Sequence, residues 1–325
     1  MILILFDKHF EQLKQRGTLL NYLINIKNVY KLSKNNIGQL DNYINKYNIK
    51  IIIQFCVNIS SYINIDKKIN KHYVYILDNQ YFNTSTIKNI ILPYKNKLIV
   101  NSSYPDKNIL NFKSRYFDNK VFKDHKLEKK YDILIYGTRN FPYNILNNEN
   151  LQVIINYKKD YKKKINKECP NKIDFYELRT KLENILIKYR HKYNIRILDN
   201  GKNITSYPIT GENLSKLINQ SYMTVCCSSV CDLLFYKHLE IPASNSVILG
   251  DYPSDYEETF KDNIVKIDKF MSEEEIINKI DEALSDKKSL LEKSQKLHDI
   301  IHKEHCLENS IEDFKNIIDK IQNTK

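Results

Sequence analysis

Phe235-Tyr236-Lys237-His238-Leu239-Glu240-Ile241-Pro242-Ala243-Ser244-Asn245-Ser246-Val247-Ile248-Leu249 reads as the start of a helix, a turn and an apolar strand. The turn is the small, polar run Pro-Ala-Ser-Asn-Ser. A helix that turns straight into a buried strand is one half of a crossover unit, the building block of a parallel sheet with helices on its faces. One carboxylate, Glu240, stands beside that turn.

The same alternation extends outward in both directions. Tyr131-Asp-Ile-Leu-Ile-Tyr-Gly137 predicts a buried strand that ends in glycine. Phe175 to Lys192 has amphipathic helical spacing, Ile195 to Leu198 is a strand, and Leu214 to Ser221 a helix. Met223 to Cys227 is a strand, and Asp232 to Leu239 is read as a helix. Val247 to Leu249 and Ile264 to Ile267 are the last strands. Glu273 to Leu284, Lys287 to His302 and Leu307 to Ile321 are helices. The first third carries strand patterns at Ile2 to Phe6, Ile49 to Val57, His72 to Leu77 and Leu98 to Asn101. Helical spacing runs from Leu13 to Ile26 and from Gln39 to Tyr47. The expectation is an α/β protein of two Rossmann-like domains, with two parallel sheets facing a cleft. The first domain covers residues 1–125 and the second 126–305, and residues 306–325 form a helix packing back toward the first. The stretch 141–173 reads as a surface insertion, and its lysine run, Lys158 to Lys167, as a solvated loop.

Composition narrows the class. The 325 residues carry a net charge of +12, with 28% charged and 42% apolar side chains. That is a globular composition, not a disordered one. The excess of lysine allows an anionic partner but is spread along the chain. There is no recognisable nucleic-acid motif, so nucleic-acid binding is the less favoured reading. Six cysteines at irregular spacing predict free thiols in a reducing compartment. No leader peptide and no membrane-spanning run is read, so the expected location is the cytoplasm.

Ligands of open parallel sheets bind beyond the carboxyl ends of the strands. The residues that follow strands are therefore the site candidates: Asp7 and His9, Asp78 and Asn79, Gly137, Thr138, Arg139 and Asn140, Ser228 and Ser229, and Glu240. A carboxylate placed like Glu240 can accept from the two hydroxyls of a ribose diol, or it can be a surface residue on a helix start. Ser228 and Ser229 can hold a diphosphate with the helix amides behind them, or simply cap that helix. Gly137 lets backbone approach a phosphate. Arg139 can neutralise charge on a leaving group. Asp78 and His9 are the candidate general bases. His298, His302, His305 and Cys306 lie near one helical face, which is readable as a zinc set or as an ordinary packed helix segment, and no acidic partner or second cluster accompanies them.

These residues resemble a known family. Lys237-x-Leu239-Glu240-Ile241-Pro242-Ala243 is similar to the Arg-x-Phe-Glu-x-x-Ala helix start of GT-B glycosyltransferases of the CgeB type, related to glycosyltransferase group 1. Lys replaces Arg at 237, and Asn245 stands where the family has Gly. Phe175-Tyr176-Glu177-Leu178-Arg179 resembles the family's Tyr-Pro-x-Arg helix start, and His305-Cys306-Leu307-Glu308-Asn309 its later His-Thr segment. The resemblance covers residues 131–321.

It implies a metal-independent transferase that moves a sugar from a UDP-, GDP- or dTDP-sugar to a hydroxyl of a glycan or protein acceptor. Glu240 would hold the donor ribose, and Lys237 and Arg139 the departing diphosphate. Ser244, Asn245 and Ser246 would form the donor-side turn, and Tyr207 would lie near the base. Asp232, eight residues before Glu240, matches the spacing of a sugar-contacting acid in retaining members, and is equally readable as a helix cap. No Asp-x-Asp metal signature occurs, and no cofactor is implied. The alternative is a protein of the same shape that binds without transferring.

Overall fold

The computed structural model describes residues 1–6, 29–56, 72–76, 99–100, 116–148, 152–198 and 209–323. The chain divides into two compact units. One is Met1–Ser114 with Leu307–Lys325, and the other is Arg115–Cys306.

In the first unit, β1 (Ile2–Phe6), β2 (Val29–Ser33), β3 (Ile51–Cys56), β4 (His72–Ile76) and β5 (Ile99–Val100) form a parallel sheet in the order β2-β1-β3-β4-β5. β1 is an unbroken apolar run and is buried along its whole length, as a central parallel strand must be. Its Leu3 and Leu5 pack with Leu32, Leu40, Ile49 and Ile52 under α1 (Leu40–Tyr47). α1 stops at Asn48, which takes the left-handed conformation at φ 48°. The sequence pattern misses β2. It is an edge strand with Val29 and Leu32 as its buried residues, so its apolar signal is weak. The helical pattern at Leu13 to Ile26 lies outside the described residues.

The second unit repeats this topology. Its strands are β6 (Tyr131–Ile135), β9 (Ile195–Ile197), β10 (Ser221–Cys226), β11 (Val247–Gly250) and β12 (Val265–Lys266). They are parallel in the order β12-β11-β10-β6-β9. In both sheets the first strand lies between the second and the third. The winding therefore reverses between β6 and β10, which opens a crevice at their carboxyl ends. Alternate residues of β6 feed two cores. Ile133 and Ile135 meet Leu178, Leu182 and Leu186 of α3 (Glu177–Lys188). Leu134 and Tyr136 face the core that holds Ile218 of α4 (Gly211–Asn219) and Leu239 and Ile241 of α5 (Tyr236–Ala243). After the single turn α6 (Glu257–Phe260) come α7 (Glu273–Ser285) and α8 (Lys287–His305). α9 (Leu307–Asn323) belongs to the first unit.

Two expectations change. The lysine run is not a loop: it lies on α2 (Gln152–Ile165), flanked by an antiparallel pair, β7 (Pro142–Asn144) and β8 (Lys172–Asp174). Ile154 and Tyr157 of this helix are buried with Ile145 and Phe175, so an apolar stripe hidden among lysines fixes the helix. The helix expected at Asp232–Leu239 begins only at Tyr236. Ser229 and Asp232 adopt positive φ of 67° and 52°, which no helix contains. At the other end, Pro242 and Ala243 complete the last turn, and the turn proper is Ser244 to Ser246 with Asn245 at φ 57°.

Candidate functional site

At the carboxyl ends of β6 and β9 the second unit encloses a cavity of about 460 Å³. Tyr136, Gly137 and Thr138 line it from the end of β6, and Arg196, Ile197 and Leu198 from β9. Tyr176 and Arg179 come from the start of α3, and Thr210 and Leu214 from the start of α4. Phe235, Tyr236, Lys237 and Glu240 come from α5. The amino end of α5 thus faces the cavity and presents the positive end of its dipole there.

His238 fixes that helix end. Its Nδ1 accepts from the Phe235 N–H at 3.0 Å, so the proton sits on Nε2, which donates to the Asp251 carbonyl at 3.2 Å. Burial pushes the imidazole down to about 3 and keeps it neutral, as both bonds require. Three residues apart on the helix thus set, Lys237 and Glu240 both reach the cavity. Glu240 is only 7% exposed.

Two cations meet at Gly137. A β-carbon on this residue would lie 1.8 Å from Lys237 Nζ and 3.6 Å from Arg179 Nη1. Lys237 Nζ donates to the Tyr136 carbonyl at 2.5 Å and sits 3.9 Å from the centre of the Tyr136 ring. Arg179, 2% exposed, donates from Nη1 to the Thr138 carbonyl at 2.8 Å and lies over the Tyr176 ring. Among the described residues neither cation forms a salt bridge. Arg179 Nε and the Tyr136 hydroxyl are buried without a hydrogen-bond partner. Charging buried basic side chains that lack a counter-ion is costly, and an anionic ligand relieves that cost.

Of the site candidates, Gly137, Thr138, Lys237 and Glu240 line this cavity, as do Tyr176 and Arg179 of the helix start at Phe175, and the other described candidates do not. Arg139 turns away. Its Nη1 and Nη2 donate to the carbonyls of Gly137 and Leu198 at 2.9 and 3.0 Å, and Nε pairs with Glu183 at 2.7 Å. Its guanidinium ties together the loops after β6 and β9, and Arg179 takes the cavity position expected of it. Ser228 gives its N–H to Asp251 at 2.5 Å, and Ser229 Oγ accepts from Cys231 N, so both serve a tight turn. Asp232 accepts from the Ser254 N–H at 3.1 Å and from its hydroxyl at 2.5 Å.

Ser244 and Ser246 bond to Ser215 and Thr224, each at 2.9 Å. The Asn245 carbonyl accepts from Lys129 at 2.5 Å. This turn is at the carboxyl end of α5, whereas Lys237 and Glu240 reach the cavity from nearer its start. Asp7, His9, Asp78, Asn79 and Tyr207 lie outside the described residues. His298 and His302 approach the carbonyls of Pro242 and Ala243 at 3.1 and 3.4 Å, so they close the end of α5. Among the described residues no group of three or more His, Cys, Asp or Glu converges as a ligand set. Nor is any helix among them long and apolar enough to cross a membrane.

The sequence inspection missed Tyr136, Arg196 and Tyr236 as lining residues. Arg179 carried a signal, its place in the helix start at Phe175.

No protein-family model and no curated protein matches the sequence. Solved structures do match the fold. The chain is similar to sucrose-phosphate synthase from Thermosynechococcus elongatus over 100% of both chains, at 9% identity and a TM-score of 0.62. It is similar to a glycosyltransferase from Rickettsia africae over 100% of this chain and 99% of that one, at 14% identity and a TM-score of 0.57. Anabaena HepE, solved in complex with UDP, matches 98% of this chain over 99% of its own, at 10% identity and a TM-score of 0.53. Against TarM the chain spans 58% of that protein's length, at a TM-score of 0.48. The fold is that of the GT-B glycosyltransferases, with two Rossmann-like domains.

Proposed function

We propose that this protein is a metal-independent glycosyltransferase of the CgeB-type branch. It moves a sugar from a nucleotide-sugar to an acceptor hydroxyl on a glycan or protein. One observation carries the reading: Glu240 shares a cavity at the carboxyl end of a parallel sheet with two basic side chains, Lys237 and Arg179, that form no salt bridge among the described residues. A nucleoside diphosphate offers the complement, a vicinal diol for the carboxylate and anionic oxygens for the cations. Gly137 and the amino end of α5 admit the diphosphate, and the cations offset charge as it departs. HepE, of the same fold, was solved with UDP. Asp78 and His9 are the candidate bases for the acceptor hydroxyl.

The test is a thermal-shift screen against UDP-, GDP- and dTDP-sugars. A ligand at 100 times its Kd stabilises the folded protein by about 2.7 kcal/mol, which raises the melting temperature. Glu240→Ala should stay folded and lose the response. A response unchanged in that variant removes the ribose assignment.

A second reading is a nucleotide-sugar-binding protein without transfer activity. The engagement of Asp232 by Ser254 favours it, because the acid expected near the sugar is spent on a turn. Donor hydrolysis separates the two: binding of every common donor without turnover selects the second.

A further inference from the structure

Lys237 and Arg179 flank the same point beside Gly137, and no described carboxylate forms a salt bridge with either. The groups facing Lys237 come from four elements. Tyr136 ends β6, Arg179 belongs to α3, Cys226 and Cys227 stand at the end of β10, and Glu240 is on its own helix. Only Glu240 among these is a carboxylic acid, and the Arg179 guanidinium stays charged at every accessible pH. Among the described residues Lys237 Nζ has one hydrogen-bond acceptor, the Tyr136 carbonyl, where an ammonium could use three. A neutral amine satisfies that single acceptor and avoids placing a second cation beside the first.

We infer that the donor's diphosphate binds together with one proton, taken up from solvent by the Lys237 amine. This rests on the nucleotide-sugar reading and adds a linkage to it. The step is a protonation, amine plus proton to ammonium, with no other bond made or broken. Burial first and Arg179 second hold Lys237 well below the ordinary lysine range. Anionic oxygens between the two side chains reverse that balance, and the ammonium gains acceptors for its free donors. The sign follows from linkage. Where the amine is neutral in the free protein and charged in the complex, affinity falls as pH rises, by up to about tenfold per pH unit.

Isothermal titration calorimetry at pH 8.5, in buffers of different ionisation enthalpy, reads the proton directly. At this pH the terminal phosphate of the probe nucleotide is already ionised, its pKa being about 6. UDP, GDP and dTDP are the probes of proton uptake, and inorganic pyrophosphate, which keeps part of its last proton at this pH, is a probe of binding alone. Measurable proton uptake in the wild type, and near zero in Lys237→Arg, is the expected result. Binding without uptake, or equal uptake in both proteins, overturns the linkage and leaves the nucleotide reading standing. Pyrophosphate binding while no nucleotide binds overturns the nucleotide reading and the linkage that rests on it. No binding by any probe overturns both. Should Lys237→Arg not fold, the wild-type Kd between pH 7 and 9 decides: a flat profile overturns the linkage.

Discussion

Lys237 Nζ occupies the space that a side chain on Gly137 would need, 1.8 Å from the β-carbon position. Gly137 also sits at φ 89°, where a β-carbon is strained in any case. Gly137→Ala should therefore destabilise the protein by about 1–3 kcal/mol, through backbone strain and displacement of Lys237. Calorimetric melting checks the stability. Pyrophosphate affinity checks the displacement and should fall in the same variant.

Glu240→Gln keeps size and removes charge. If the carboxylate holds two ribose hydroxyls, nucleotide affinity should drop by about 2 kcal/mol, near thirtyfold in Kd. Pyrophosphate, which has no ribose, should bind about as before. Titration of both ligands into both proteins reads the difference, and an equal loss for the two would point to a general collapse of the cavity.

Arg139 and Glu183 form a pair whose side chains are 3% and 13% exposed. Arg139→Met leaves the Glu183 carboxylate and two carbonyls without their donor, and should cost about 3–5 kcal/mol. Pairing it with Glu183→Gln should recover part of that cost, because the stranded charge is gone. Urea denaturation of the two single variants and the double variant measures the coupling. Additive costs would mean that the pair is not coupled.

His238 and Asp251 oppose each other in acid. Burial holds His238 at about 3, down from 6.5, and Asp251 at about 6, up from 3.8. As pH falls from about 6.5, the unfolded chain takes a proton at His238 that the folded chain refuses, so stability drops. From about 6 to 3.8 the folded chain takes one at Asp251, and the two contributions cancel. Asp251→Asn removes that compensation. Its stability should fall by up to about 1.4 kcal/mol per pH unit more steeply than the wild type between pH 6 and 4. Urea midpoints across that range give the slopes, and parallel slopes would refute the Asp251 contribution.

Much of the fold was legible because buried parallel strands leave a local mark. β1, β3, β6 and β11 are apolar runs of four to six residues, and each was found within two residues of its ends. β2 left no such mark, since an edge strand buries too little. The lysine-rich α2 was hidden for the opposite reason: its charges outnumber the two residues, Ile154 and Tyr157, that anchor it. At the site, Gly137, Lys237 and Glu240 were legible because each lies beside a strand end or a helix start. Ser228, Ser229 and Asp232 were placed by assuming a helix behind them, and the positive φ at 229 and 232 removes that helix.

The linear order of apolar and polar residues set two parallel sheets, their helices, and a carboxylate and a lysine one turn apart. Both are properties of neighbouring residues, so periodicity carries them. Which arginine meets the cavity was decided only in three dimensions. Arg139 follows a strand end, and Arg179 lies in the helix start at Phe175. Arg139 finds the Leu198 carbonyl and Glu183 within reach and is held by them. Arg179 is left with one carbonyl, an aromatic face and a buried N–H still unpaired.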